Sequence, residues 1–209
     1  MKKIVFGIIL VFFAILSGGC AACYRPIVPP ALTYAAHDLE DGIKLSYKYD
    51  VLRESGNKKY ARKEYRRGIK LIAIEITNLT DTTINVERDI RFYSGGEPII
   101  PLRPNMIHRL IGQSVLSYLP YMLLTVTKLS VTMNSSATTD VYPIGYVLGP
   151  GVTIGNMVKA AAANRRFRYE LNTYDILNTN IPKGETAYGL IGVRGVGYNP
   201  ISMKIVKKD

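Results

Sequence analysis

The chain has few of the residues on which most enzyme and metal sites depend. Its 209 residues include two His, two Cys and no Trp. A catalytic triad needs a His beside its nucleophile, and a zinc site needs several His or Cys ligands. Only His37 and His108 are available, and neither lies in a recognisable motif. We therefore predict no catalytic residue, no metal, no cofactor and no enzymatic activity.

Acidic residues are also scarce, with 16 Asp and Glu against 27 Lys and Arg. General acid–base catalysis by paired carboxylates needs two acids brought together in different environments. Glu40 and Asp41 are adjacent and diverge on a strand, while Glu170 and Asp175 do not have a facing helical spacing. We interpret all four as solvated surface acids. The 47% hydrophobic content excludes a disordered chain and suits one ordinary domain with additions.

The amino terminus has the three parts of a secretory signal: Met1-Lys2-Lys3, an uncharged apolar run from Ile4 to Leu16, and small residues before Cys20. Thirteen apolar residues are fewer than the roughly 20 that a spanning helix needs. The sequence Leu16-Ser17-Gly18-Gly19-Cys20 resembles the lipobox of bacterial lipoproteins, whose cysteine is acylated and becomes the mature amino terminus. The resemblance implies a signal peptide over residues 1–19, a palmitate-type lipid on Cys20 and a membrane-anchored envelope protein.

Two alternatives stay open at this end of the chain. Cys23 is a second candidate for acylation, and cleavage by the ordinary signal peptidase would leave the cysteines free. In lipoproteins that this chain resembles, an Asp after the acylated Cys favours inner-membrane retention; Ala21 stands there instead, which indicates the outer membrane facing the periplasm. Three prolines within residues 24–30 predict an extended spacer, so residues 20–41 are interpreted as the lipidated terminus and its tether.

Residues 42–209 show the alternation of short, half-buried strands. The run Ile69–Thr77 is apolar on nearly both faces, which indicates a central strand. Other strands are predicted at residues 43–49, 84–86, 90–92, 98–102, 186–193 and 201–205. About seven strands favour a mainly β (α+β) fold, an immunoglobulin-like β-sandwich with one amphipathic helix from Met157 to Tyr174.

A hydrophobic insertion over about residues 105–178 interrupts this pattern. Leu110–Thr127 and Val141–Val158 are each eighteen residues long without a charge. They permit a membrane-spanning hairpin, but prolines within them and flanking positive charges on the exported side oppose one. We expect a hairpin packed on the sandwich or lying in the membrane interface. Its candidate contact residues for a membrane or partner are Tyr118, Tyr121, Leu123 and Leu124.

A basic cluster precedes the central strand and comprises Lys58, Lys59, Arg62, Lys63, Arg66 and Arg67, with Tyr60 and Tyr65 between them. Cations and aromatic rings together could bind nucleic acid, which an exported protein rarely meets. Anionic lipid is a more available partner. The alternative is a solvated connecting hairpin or short helix.

The sequence therefore predicts a lipid-anchored, non-catalytic binding or structural module that presents the insertion and the basic hairpin to a membrane surface or an envelope protein. One alternative is a membrane-embedded hairpin that oligomerises. Another is an envelope hydrolase with an unrecognised polar site.

Overall fold

The computed structural model describes residues 20–132, 139–195 and 197–206. The predicted signal peptide, residues 1–19, lies outside them. The fold is mixed α/β, 41% helix and 29% strand, with several antiparallel sheets. The mixed α and β composition is thus confirmed, but the prediction of a mainly β fold is wrong: helix exceeds strand because the predicted hairpin insertion is largely helical.

The strands are β1 (Ala36–Glu40), β2 (Ile43–Lys48), β3 (Ile69–Asn78), β4 (Ile84–Asn85), β5 (Ile90–Ser94), β6 (Glu97–Ile99), β7 (Leu129–Thr132), β8 (Thr139–Tyr142), β9 (Asn180–Ile181), β10 (Thr186–Arg194) and β11 (Ile201–Ile205). The α-helices are α1 (Val51–Glu54), α2 (Lys58–Arg66), α3 (Val86–Asp89), α4 (Pro104–Ile111) and α5 (Gly145–Thr173). Three 3-10 helices are η1 (Pro29–Ala31), η2 (Val115–Val126) and η3 (Ile176–Asn178).

The chain divides into two compact units. Of the described residues, the insertion unit comprises 20–23, 113–132 and 139–163, and the sheet unit comprises 24–112, 164–195 and 197–206. The insertion unit is shorter than the predicted insertion over about 105–178, because α4 and the last ten residues of α5 belong to the sheet unit.

The larger sheet of the sheet unit has the order β1-β2-β3-β10, with every pair antiparallel. Strand β3 is central, as its apolar sequence predicts, and pairs with β10 from Ile69 opposite Arg194 to Thr77 opposite Thr186. Ile72, Ile74 and Ile76 are buried on one face of β3. Leu71 and Ala73 are also fully buried, so both faces of this strand are covered.

A second antiparallel sheet has the order β11-β5-β6. Ile74 of the larger sheet and Phe92 and Met203 of the second sheet belong to one buried apolar cluster. Burial of apolar side chains contributed by two sheets is the main stabilising term expected for this unit.

The sequence missed β1, β7, β8 and β9 and placed three features differently. Val86 begins the helical turn α3 rather than continuing a strand, because the Asn85 side chain accepts a hydrogen bond from the Arg88 N–H and caps it. Helix α5 begins at Gly145, twelve residues before the predicted start at Met157, and contains Pro150.

The third difference is the Pro-rich segment, predicted to be an extended spacer between the lipid and the domain. Tyr24 and Ile27 are buried in the sheet unit, because their side chains are apolar enough to join its core.

Candidate membrane-contact surface

The residues after Cys20 are fixed to the insertion unit by hydrogen bonds. The Ala21 N–H donates to Asn156 Oδ1 at 2.6 Å. The Gln113 side chain accepts from the Ala22 N–H at 3.2 Å and donates to the Ala22 carbonyl at 2.7 Å. Ala21 is buried, whereas Cys20 is exposed. A lipid on Cys20 would therefore emerge directly at the surface of this unit.

Helix η2 shows why the insertion unit exposes apolar side chains. A 3-10 helix has three residues per turn, so residues three apart share an edge. The edge formed by Tyr118, Tyr121 and Leu124 is buried. The other two edges carry exposed apolar residues, which are Leu116, Leu119, Met122, Leu123 and Val126.

This periodicity corrects the predicted contact residues. Tyr118, Tyr121 and Leu124 lie in the core of the insertion unit and cannot form the contact surface, whereas Leu123 is exposed as predicted. The rings of Tyr118 and Tyr121 stack with centroids 6.4 Å apart. Burial, and then the Cys20 thiol, raise the pKa of both phenols, which places Cys20 beside this pair.

The first part of α5 packs on η2 through glycine. A β-carbon at Gly145 or Gly149 would collide with Thr125 of η2, so these glycines allow close approach of the two backbones. Gly151 and Gly155 have no such neighbour within 4 Å. The opposite side of α5 exposes further apolar residues, which are Tyr146, Val147, Leu148, Ile154 and Val158.

The insertion unit exposes more large apolar side chains than it buries. Its buried cluster contains five residues, which are Ala21, Tyr118, Tyr121, Leu124 and Ala160. Of the 22 large hydrophobic residues that are exposed in the described parts of the chain, 13 lie within residues 113–163. The three not yet named are Leu129, Val141 and Tyr142. Exposure concentrated in one unit is typical of a protein or membrane interaction surface.

Among the residues that the structure describes, no helix combines the length and the apolar composition needed to cross a membrane.

The sheet unit contains a buried carboxyl group that the sequence did not reveal. Glu170 was predicted to be a surface acid, but it is buried and binds two groups of the segment after the cysteines. It accepts hydrogen bonds from the Tyr24 hydroxyl and, at 2.8 Å, from the Ile27 N–H. Burial raises the pKa of Glu170 to about 7 against these two bonds, which favour the ionised form.

Aromatic packing also holds the segment that follows the two cysteines. The Tyr24 ring lies 5.3 Å from that of Tyr60 and 5.2 Å from that of Phe167, measured between centroids. Phe167 and Tyr60 are fully buried. Tyr60 donates its hydroxyl to Asn164 Oδ1 at 3.1 Å, so it is a core residue and cannot stack on a ligand.

The basic cluster is the helix α2 and the residue that follows it, rather than a hairpin. Lys58, Arg62, Arg66 and Arg67 are exposed, as is Tyr65, whereas Lys59 is partly buried. Lys63 is also partly buried and donates to the Gly112 carbonyl, so it does not face a ligand. Glu64 is buried and accepts the Leu71 N–H at 2.7 Å. The exposed cations are therefore a subset of those predicted.

The two histidines lie apart from this chemistry. His37 is exposed on β1, with Nδ1 3.0 Å from Ser46 Oγ. His108 lies on α4 with its ring 6.2 Å from that of Phe167, and burial, followed by Arg168, lowers its pKa. No group of three or more His, Cys, Asp or Glu residues that could hold a metal occurs in the described ranges.

In comparisons with protein-family models, curated proteins and solved structures, nothing matches this chain.

Proposed function

We propose that this protein is a lipid-anchored component of the bacterial cell envelope whose insertion unit lies against a membrane surface. In this proposal Cys20 carries the lipid and the protein has a non-catalytic, binding or structural role. Ala21 after the cysteine favours the outer membrane, with the protein facing the periplasm. The observation that carries the proposal is the concentration of exposed apolar residues in the unit that also holds Cys20.

The hydrogen bonds of Ala21 and Ala22 support this assignment over a freely tethered domain. They leave no spacer between Cys20 and the insertion unit. Acyl chains inserted in a bilayer would therefore hold that unit at the interface, where its exposed leucines and valines can be partly removed from water. A membrane surface accounts both for the absence of a spacer after Cys20 and for the exposed apolar residues. An envelope protein as partner accounts only for the exposed apolar residues.

We also propose that the sheet unit is the predicted immunoglobulin-like β-sandwich. Support comes from its four-stranded and three-stranded sheets, which together have seven strands and contribute to one apolar cluster.

The first test is metabolic labelling with a palmitate analogue. We expect Cys20→Ser to abolish labelling and to move part of the protein from the membrane to the soluble fraction, while the matched variant Cys23→Ser stays labelled. Labelling that is lost only in Cys23→Ser would move the anchor to the second cysteine. Absence of labelling in the unaltered protein would refute lipidation.

The second test measures whether the insertion unit contacts lipid without the anchor. In the Cys20→Ser background we expect flotation with protein-free phospholipid vesicles, and Leu123→Gln with Val126→Gln should reduce it severalfold. The matched control is Leu79→Gln with Ile100→Gln, which changes two equally exposed apolar residues of the sheet unit. Equal flotation of both double variants would contradict a specific contact. Binding that requires membrane proteins in the vesicles would favour a protein partner.

A further inference from the structure

The sheet unit contains an open groove of about 810 Å³ beside α2. It is lined by basic, acidic and aromatic side chains, which are Asp50, Arg53, Lys58, Arg62, Glu64, Tyr65, Arg66, Lys70 and Tyr198, together with Ala61. It lies wholly within one unit and shares no residue with the apolar surface. Its properties are therefore independent of the proposed membrane contact.

The two acidic groups in the groove are already engaged. Asp50 lies 3.5 Å from Lys70 Nζ and accepts the Tyr198 hydroxyl at 2.9 Å. Lys70 Nζ also lies 4.0 Å from the centre of the Tyr198 ring. The Glu64 carboxylate is buried and directed at the Leu71 N–H. Neither acid therefore neutralises the remaining cations.

Arg53, Lys58, Arg62 and Arg66 form no ion pair with an acidic residue among residues 20–132, 139–195 and 197–206. The last three are spaced four apart on α2, so they share one face of the helix. At 1.5 Å per residue they extend over about 12 Å, with neighbours about 6 Å apart. The buried residues of α2 are Tyr60 and Glu64. Glu64 also lines the groove, and the three cations line it from exposed positions of the same helix.

We propose that this groove binds a phosphate-bearing ligand. A row of cations without acidic partners is electrostatically complementary to a multivalent anion. The guanidinium groups of Arg62 and Arg66 can each donate two parallel hydrogen bonds to phosphate oxygens, a geometry that a lysine lacks. The exposed ring of Tyr65 adds an apolar wall for the part of the ligand that carries the phosphate. The phosphate belongs either to a lipid head group or to a soluble molecule.

The test uses the full chain with Cys20→Ser, titrated calorimetrically with two probes. Inorganic pyrophosphate represents a soluble phosphate, and dihexanoyl phosphatidic acid below its micellar concentration represents a lipid head group. We expect Lys58→Gln with Arg62→Gln and Arg66→Gln to weaken binding at least tenfold. The matched control, Arg165→Gln with Arg166→Gln and Arg168→Gln, removes the same charge from exposed positions of α5 and should change affinity less than twofold.

Circular dichroism of each variant confirms that the fold is retained, and Arg62→Lys with Arg66→Lys, which keeps the charge, should bind with intermediate affinity. Binding of both probes supports recognition of the phosphate itself, and binding of phosphatidic acid alone identifies a lipid head group as the source. Failure of both probes to bind, or equal weakening by the two triple variants, would overturn the proposal.

Discussion

The buried carboxyl group of Glu170 makes the stability of the sheet unit depend on pH. Its pKa is raised from 4.5 to about 7 in the folded chain by burial. Below pH 4.5 the Glu170 carboxyl group is protonated in both the folded and the unfolded chain. Above about pH 7 it is ionised in both. Between the two values only the folded state holds the proton, so folding is favoured at low pH and this advantage is lost as the pH rises to about 7.

The size of the effect follows from the same two values. Each pKa unit corresponds to about 1.4 kcal/mol, so the interval between 4.5 and about 7 corresponds to roughly 3 kcal/mol of unfolding free energy. Glu64 is also buried, its pKa is raised to about 7 chiefly by burial, and it contributes in the same direction. Together these two carboxyl groups should lower the stability of the folded chain as the pH rises from about 4.5 to about 7, which reverses the usual behaviour of paired carboxylates.

Glu170→Gln isolates this contribution because an amide keeps an acceptor for the Tyr24 hydroxyl or the Ile27 N–H and does not ionise. We expect urea unfolding, followed by far-ultraviolet circular dichroism, to show a fall in stability with rising pH that is smaller by about 3 kcal/mol in this variant. Glu185→Gln, at an exposed position, is the control and should leave the profile unchanged. A Glu170→Gln profile parallel to that of the unaltered chain would refute the argument.

Two further predictions concern packing and hydrogen bonding in the sheet unit. Asn78 is fully buried. Its Oδ1 accepts hydrogen bonds from the N–H and the hydroxyl of Thr80, and its Nδ2 donates hydrogen bonds to two backbone carbonyls. Asn78→Ala should therefore cost about 2–4 kcal/mol of unfolding free energy. A cost no larger than that of exposed Asn178→Ala would contradict this network. Phe167→Ala should cost about 3–5 kcal/mol of unfolding free energy because it leaves a cavity beside the rings of Tyr24 and Tyr60. Tyr169→Ala, at an exposed position of the same helix, should change thermal stability little.

Two kinds of strand were predictable: strands in which apolar and polar residues alternate, as expected for burial of one face, and a continuous apolar run, as expected for burial of both faces. Strand β3 is apolar at almost every position, and both its existence and its central place are confirmed. Strand β1 was not predictable in this way, because the sequence Ala-His-Asp-Leu-Glu exposes Leu39 and lacks the alternation. The start of α5 was missed because Pro150 and four glycines disfavour a helix locally; close packing of Gly145 and Gly149 on η2 outweighs that propensity.

The candidate site was predictable as a region but not residue by residue. Composition alone marks an apolar insertion over about residues 105–178, yet the choice between buried and exposed residues within η2 depends on the three-residue period of a 3-10 helix. Because of that period Tyr121 is buried and its neighbour Met122 is exposed, a difference that residue propensities do not predict. Glu170 was misplaced for a related reason, since its hydrogen-bond partner Tyr24 is distant in sequence.

The two ends of the segment after Cys20 have different roles in the proposal. Ala21 and Ala22 are held through hydrogen bonds of their backbone groups to side chains of the insertion unit. Tyr24 and Ile27 are instead held by specific side-chain chemistry, an aromatic cluster and a buried carboxyl group. A lipid anchor has to resist removal of the protein from the membrane, and a flexible tether would leave the apolar surface free to turn away from the bilayer. In the proposed arrangement, hydrogen bonds that fix Ala21 and Ala22 to the insertion unit would prevent this rotation, and the exposed leucines of η2 would gain lipid contact without the entropic cost of ordering a tether at each encounter.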